Sequence, residues 1–200
     1  ATGTAKYHKF VGEIIETSVG RLLFNSVLPD DFEFINDDIK KKTLERIVSR
    51  VIVDYGIDAT GPILDKIKSF GFRYATKSGI SWGINDLAVP PGKKEIIKAA
   101  ETEAQKILEQ YNDGFLTDEE RYYKVIAIWT DVKRRVDELV PAALDPEGPV
   151  YSMVSSAARG TWTQANQMAG MKGLVRNPAG KTIELPILSS YKEGLNVLEY

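Results

Sequence analysis

The chain has 200 residues, 43% hydrophobic and 27% charged, with a formal net charge of −2 and a pI of about 5.6. That length suits one large domain or two small ones with a sizeable core, argues against long disorder, and offers no bulk attraction to nucleic acid. Cysteine is absent, which removes disulfides and thiolate metal sites and fits a reducing cytoplasm, and neither a membrane-spanning run nor a signal peptide is apparent.

In chain order, "GEIIETSVGRLLFNSVLP" predicts a short extended piece, a Thr17 or Ser18 cap, and a short helix that stops before Pro29. "NDDIKKKTLERIVSRVIVDYG" predicts a helix capped by Asp37 or Asp38 and ended by Gly56, with Ile47, Val51 and Tyr55 at helical spacing. Thr60 then caps "GPILDKIKSFG", with Pro62 in the first turn and Gly71 at the exit. The Gly, Ser and Pro residues of "SGISWGINDLAVPPG" predict an ordered connector.

Residues 93–140 carry the strongest periodicity. Ile97, Ala100, Ala104, Ile107 and Tyr111 repeat at intervals of three and four, as do Tyr122, Val125, Trp129, Val132, Val136 and Leu139. "NDGFLTDEE" between them supplies a Gly114 C-cap and a Thr117/Glu120 capping box, so the helices must run antiparallel. Lys93, Lys94, Glu101, Glu103, Lys106, Glu109, Lys133, Arg134 and Arg135 are assigned to solvent faces. At the tip, Asp113, Asp118, Glu119 and Glu120 fit either dipole complementarity or a partner surface. Phe115 and Leu116 fit either a contact or a staple on the second helix.

"PAALDPEGPV" reads as a linker, with Pro149 opening a helix to about Ser156. "KTIELPI" alternates as a short strand closed by Pro186. "SSYKEGLNVLEY" opens like a helix on a Ser190/Glu193 capping box and stops at Tyr200 without a C-cap, as expected of a piece of a longer polypeptide. The fold class is mainly α: a helical base at 1–92, a projecting antiparallel coiled-coil hairpin at 93–140, and a Gly-rich loop with a short strand at 141–200.

The inventory holds no catalytic centre. There is no phosphate loop or G-x-G-x-x-G run, the single histidine is His8, and the carboxylates are scattered. Ser155, Ser156 and Thr161 have no histidine partner. What remains is "AARGTWTQANQMAGMKGLVRNPAG", residues 157–180. Gly160, Gly170 and Gly173 permit close approach of a ligand or another chain, and the planar fork of Arg159 suits a phosphate or a carboxylate. Packing on a partner subunit, with Arg159 paired to its carboxylate, fits equally.

"ARGTWTQANQMAGMKGL" resembles the bacterial RNA polymerase β′ segment written A-R-G-x-x-x-Q-x-x-Q-x-x-G-M-R-G-L, and "SSYKEGLNVLEY" resembles the β′ stretch that leads into the bridge helix. "ETSVGRLLFNSVLP", "GFRYATKSGISWGINDLAVP" and "DEERYYKVIAIW" are similar to β′ in the same order, so the likeness covers roughly residues 11–200. The resemblance implies the pore and funnel region lining the secondary channel for nucleoside triphosphate entry. It implies that 93–140 are the rim helices, whose tip at Phe115, Leu116, Asp118 and Glu119 docks channel-acting proteins such as transcript-cleavage factors. The Gly-rich stretch then corresponds to the F-loop beside the bridge helix and trigger loop. Arg159 would contact the nucleotide phosphates, Met153 would line the channel nearby, and Gly160, Gln164, Gln167, Gly170, Met171 and Gly173 would support the loop.

Where the family reads A-D-S-G-A-R-G, this chain reads "VSSAARG", with Ser155 for Asp and Ala157 for Gly, and family Arg positions are Asn166 and Lys172. The metal-binding D-F-D-G-D motif, the bridge helix and the trigger loop are outside the chain, so catalysis would belong to the whole nucleotidyltransferase. The chain itself holds no cofactor, and Mg²⁺ would be bound elsewhere. Implied partners are the β, α and ω subunits and the rest of β′, with DNA and RNA reached only through the complete enzyme and no membrane. An autonomous hairpin adaptor for a regulatory protein is the alternative.

Overall fold

The computed structural model describes residues 14–200, which divide between two compact units at Ser81 and Trp82. His8 and the start of the predicted extended piece lie outside the described residues.

In the first unit, Ser18 caps helix α1 (Val19–Asn25) by accepting from the Arg21 N–H at 3.4 Å. Asn25 is fully buried yet satisfied: its amide donates to the carbonyls of Arg21 and Ile35, and its oxygen accepts from the Ile35 N–H. Helix α2 (Lys41–Ser78) breaks at Gly56, whose φ of 75° and ψ of 170° leave the helical region where a helix end is expected. The predicted caps are different. Lys40 holds the N-cap position without a side-chain bond, because Asp38 is drawn to Arg21 at 2.9 Å. Thr60 does not cap; its hydroxyl donates back to the Gly56 carbonyl at 2.6 Å. Nor does Gly71 end the helix, which runs on to Gly79 at φ 61°. One internal glycine costs only about 1 kcal/mol, and Phe70 beside it packs edge-on against Phe24 with centroids 6.1 Å apart. Phe24, Leu28, Phe32, Ile47, Val51 and Ile63 form this unit's core.

In the second unit, a 3₁₀ turn (Ile84–Asp86) leads to α3 (Lys93–Asn112) and α4 (Asp118–Ala143), the antiparallel pair. Helix α4 continues through Pro141, into the expected linker. Between the helices Phe115 N–H donates to Gln110 O and Gly114 N–H to Tyr111 O, the Schellman pairing that a left-handed Gly114 at φ 81° allows. Ala100, Trp129, Val132 and Val136 meet in the seam, as the heptads predict. Met171 completes that core, so a third segment covers the hairpin. Pro149 opens α5 (Pro149–Ser155), and α6 (Trp162–Ala169) follows inside the stretch expected to be loop.

Beyond α6 the chain doubles back along α4 as a ribbon. The expected strand reduces to isolated antiparallel bridges, Gly173 to Ile187 and Arg176 to Thr182. Pro186 has no N–H to extend the ladder. The expected C-terminal helix is absent as well. Ser190 and Glu193 do exchange capping-box bonds, but Gly194 turns left-handed at φ 84°. Glu199 then takes the N–H groups of Leu188, Ser189 and Asn196 at 2.9–3.1 Å.

Candidate functional site

The α5–α6 loop presents Arg159. Each side of it is tied down: Ala157 N–H donates to Val154 O at 3.1 Å, Ala158 N–H to the Ser156 hydroxyl at 3.3 Å, and Arg159 N–H to Met153 O at 3.4 Å. Ala157 occupies the left-handed region at φ 57°, the only non-glycine among the described residues to do so. Gly160 follows at φ 80°, and Thr161 then caps α6. Gln164 closes that cap by accepting from the Thr161 N–H at 3.0 Å, while its own N–H donates to the Thr161 hydroxyl. The Thr-x-x-Gln spacing was the overlooked sign of α6. Arg159 itself is exposed, and no carboxylate among the described residues pairs with it.

A cavity of about 170 Å³ opens beside Arg159, lined by Trp82, Leu87, Val150, Met153, Val154, Gly160, Thr161, Gln164, Ala165 and Met168 as well. Most of its walls come from α5 and α6, which are braced by the edge-on Tyr151–Trp162 ring pair at 5.7 Å, and Trp82 and Leu87 of the connector before α3 complete them. The structure therefore gathers Arg159, Met153, Gly160 and Gln164 at one place.

The other loop residues do different work. A Cβ on Gly170 would lie 2.8 Å from the Asn166 carbonyl and 3.0 Å from Val140 Cγ2; one on Gly173 would lie 2.7 Å from Lys133 Cδ. The close approach at both glycines is thus made to this chain's own α4. Met171 is fully buried in the hairpin core, and the Gln167 carbonyl accepts from the Tyr191 N–H at 3.2 Å. Of the positions that depart from the family pattern, Asn166 is buried with its side-chain oxygen unbonded among the described residues, and Lys172 lies 5.3 Å over the Tyr191 ring.

At the hairpin tip, Phe115 is 78% exposed and Leu116 half-buried, so Phe115 is no staple. Glu120 completes the capping box by accepting from Thr117 N–H at 2.9 Å, and that bond holds its carboxyl below the usual range. Asp118 accepts from Arg121 at 2.8 Å, whereas Glu119 stays exposed. Arg121 was not anticipated as a junction. It grips Glu184 with both terminal nitrogens, lies 5.3 Å from the Tyr111 ring centroid, and is held protonated chiefly by Glu184 and then Asp118. Lys93, expected on a solvent face, is 3% exposed and pairs with Glu193. Burial pushes the Glu193 carboxyl up, but Lys93 and the Ser190 N–H and hydroxyl outweigh it, and the net shift is downward. Its partner is 100 positions away, beyond the reach of local periodicity.

Two family descriptions match the chain: RNA polymerase Rpb1, domain 3, over residues 4–87, and RNA polymerase Rpb1, domain 4, over residues 116–194. The DNA-directed RNA polymerase subunit beta′ of Pelotomaculum thermopropionicum is 46% identical over 186 residues, 93% of this chain and 16% of that protein. The chain belongs to the bacterial β′ family of DNA-directed RNA polymerases. Other β′ relatives agree: that of Clostridium acetobutylicum is 42% identical over 96% of the chain and 17% of its own length, and that of Thermosipho africanus 42% over 94% and 12%. The chain thus spans only 12–17% of the length of these β′ subunits. Among the described residues of this β′ segment, no group of three or more His, Cys, Asp or Glu could hold a metal, and no helix is long and apolar enough to cross a membrane.

Proposed function

We propose that this β′ segment forms part of the wall of the secondary channel in a multisubunit, cytoplasmic RNA polymerase, where Arg159 meets the triphosphate of an incoming nucleotide. The observation that carries this reading is the exposed Arg159, with no carboxylate partner among the described residues, on a loop whose backbone is bound on both sides. A guanidinium held out in this way neutralises phosphate charge with a fork of N–H donors and needs no internal ion pair to be broken first. Met153 supports the neighbouring wall. Nucleotidyl transfer belongs to the assembly with the other subunits and the remainder of β′, where Mg²⁺ supplies Lewis-acid chemistry at groups outside this chain. In the complete enzyme, Arg159→Ala raises the apparent KM for nucleotides about tenfold, the worth of one charged hydrogen-bonding group, and leaves subunit assembly intact. An unchanged KM would remove Arg159 from the substrate path.

In the same reading the hairpin 93–140 is the docking arm for channel-acting factors and 141–200 is the loop region toward the bridge helix. Phe115 supplies the apolar contact, Leu116 backs it, and Glu119 and Asp118 supply charge. Glu119→Lys is the cleaner test, because Asp118 is engaged with Arg121. It weakens a transcript-cleavage factor about tenfold while basal elongation is unchanged. Equal factor affinity would return the tip acids to a helix-capping role.

A further inference from the structure

The geometry points to a second ligand site beside Arg159: the α5–α6 cavity takes a small aromatic carboxylate, ring inward and carboxylate on the guanidinium. The cavity holds about 170 Å³. Interiors are close-packed, and an apolar cavity of roughly 150 Å³ accepts a benzene ring. Val150, Val154, Ala165, Met153 and Met168 present methyl and thioether groups to it, a dry lining that favours a ring over an aliphatic polyol. Two polar oxygens in the lining are already engaged in the capping box, where the Gln164 side-chain oxygen accepts from the Thr161 N–H and the Thr161 hydroxyl oxygen accepts from the Gln164 N–H. That leaves the Gln164 amide N–H groups to assist Arg159 at a carboxylate. Arg159 is the one charged group in the lining, and it has no carboxylate partner among the described residues. Charge complementarity therefore selects an anion, and the planar fork selects a carboxylate that can be gripped by two N–H groups. A neutral ring would keep the apolar contact and lose the fork. This site does not require the nucleotide reading, but an occupant would compete for the same guanidinium.

Benzoate and benzamide, alike in shape and different in charge, are the probes, titrated into the full 200-residue chain with methyl-labelled methionine. The chain has three methionines. Met153 and Met168 line the cavity, while Met171 is sealed in the hairpin core and serves as an internal control. Benzoate shifts the Met153 and Met168 methyl signals in a saturable way, leaves Met171 in place, and binds about tenfold more tightly than benzamide. Arg159→Gln removes that preference without removing the weak binding of the ring, and Ala165→Leu, which fills the cavity, abolishes both. No saturable shift, equal affinity for the two probes, an unaltered preference in Arg159→Gln, or parallel movement of Met171 would each overturn the site. If Ala165→Leu fails to fold, the Arg159→Gln comparison still decides. Tripolyphosphate titrated on the same spectra separates the two ideas: phosphate binding without benzoate binding leaves the nucleotide reading standing and sinks this one.

Discussion

Ala157 holds φ at 57° directly after α5, at the position where a helix end most often uses glycine. An L side chain there costs roughly 1–2 kcal/mol, whereas glycine would return roughly 0.5–1 kcal/mol of that as unfolded-state entropy. Ala157→Gly is therefore expected to stabilise the chain by about 0.5–1 kcal/mol in denaturant unfolding. A loss of stability would mean that the methyl makes a compensating contact. Ala157 keeps this backbone shape and accepts the strain next to Arg159. Neither Arg159's exposure nor its lack of a carboxylate partner among the described residues could be read from composition or spacing; the residue stood out through its motif alone. The adjoining cavity was wholly hidden in the sequence, because it is set by how α5 and α6 pack against each other and against Trp82 and Leu87 of a distant connector.

At the level of elements, the exit of α6 sits directly against α4 at Gly170. Gly170→Ala would force a Cβ to within 2.8 Å of the Asn166 carbonyl and against Val140. A cost of about 1–3 kcal/mol is expected, measured by thermal or denaturant unfolding. An unaltered midpoint would show that the α6–α4 contact can spread. The hairpin was legible because its seam residues and its Thr117/Glu120 box lie within a few turns of each other. Helix α6 was not, although Thr161 and Gln164 spelled the same kind of box, because the glycines around it suggested loop. The reverse happened at Ser190. There the box forms, but Gly194 and the inward-turned Glu199 end the helix before it starts. A capping box marks a possible helix start; whether the helix propagates depends on the residues after it.

For the second unit as a whole, its C-terminal residues close onto the start of the hairpin. Lys192 donates to the Leu87 carbonyl, and Glu193 holds Lys93. These partners are about a hundred positions apart, which is why Lys93 looked like a solvent residue. Burial raises the carboxyls of both Glu193 and Glu199, but Lys93 with Ser190 at the first, and backbone N–H groups at the second, bring each below its ordinary 4.5. Depressed folded values mean that the stabilisation is complete above 4.5 and is lost as pH falls through the folded values. Glu193→Gln is thus expected to lower stability at about pH 7 and to shrink the difference between about pH 7 and about pH 3. An identical pH dependence in wild type and variant would remove this pair as the acid-sensitive contact.

The central claim is that this β′ segment borders the route of the nucleotide. It is tested most directly by placing a photo-crosslinking residue at Met153 in the complete polymerase and adding a γ-phosphate-labelled nucleoside triphosphate. The predicted result is label on this segment that unlabelled nucleotide competes away, with none from the same crosslinker placed at Phe115. Absence of competed label at Met153 would contradict it.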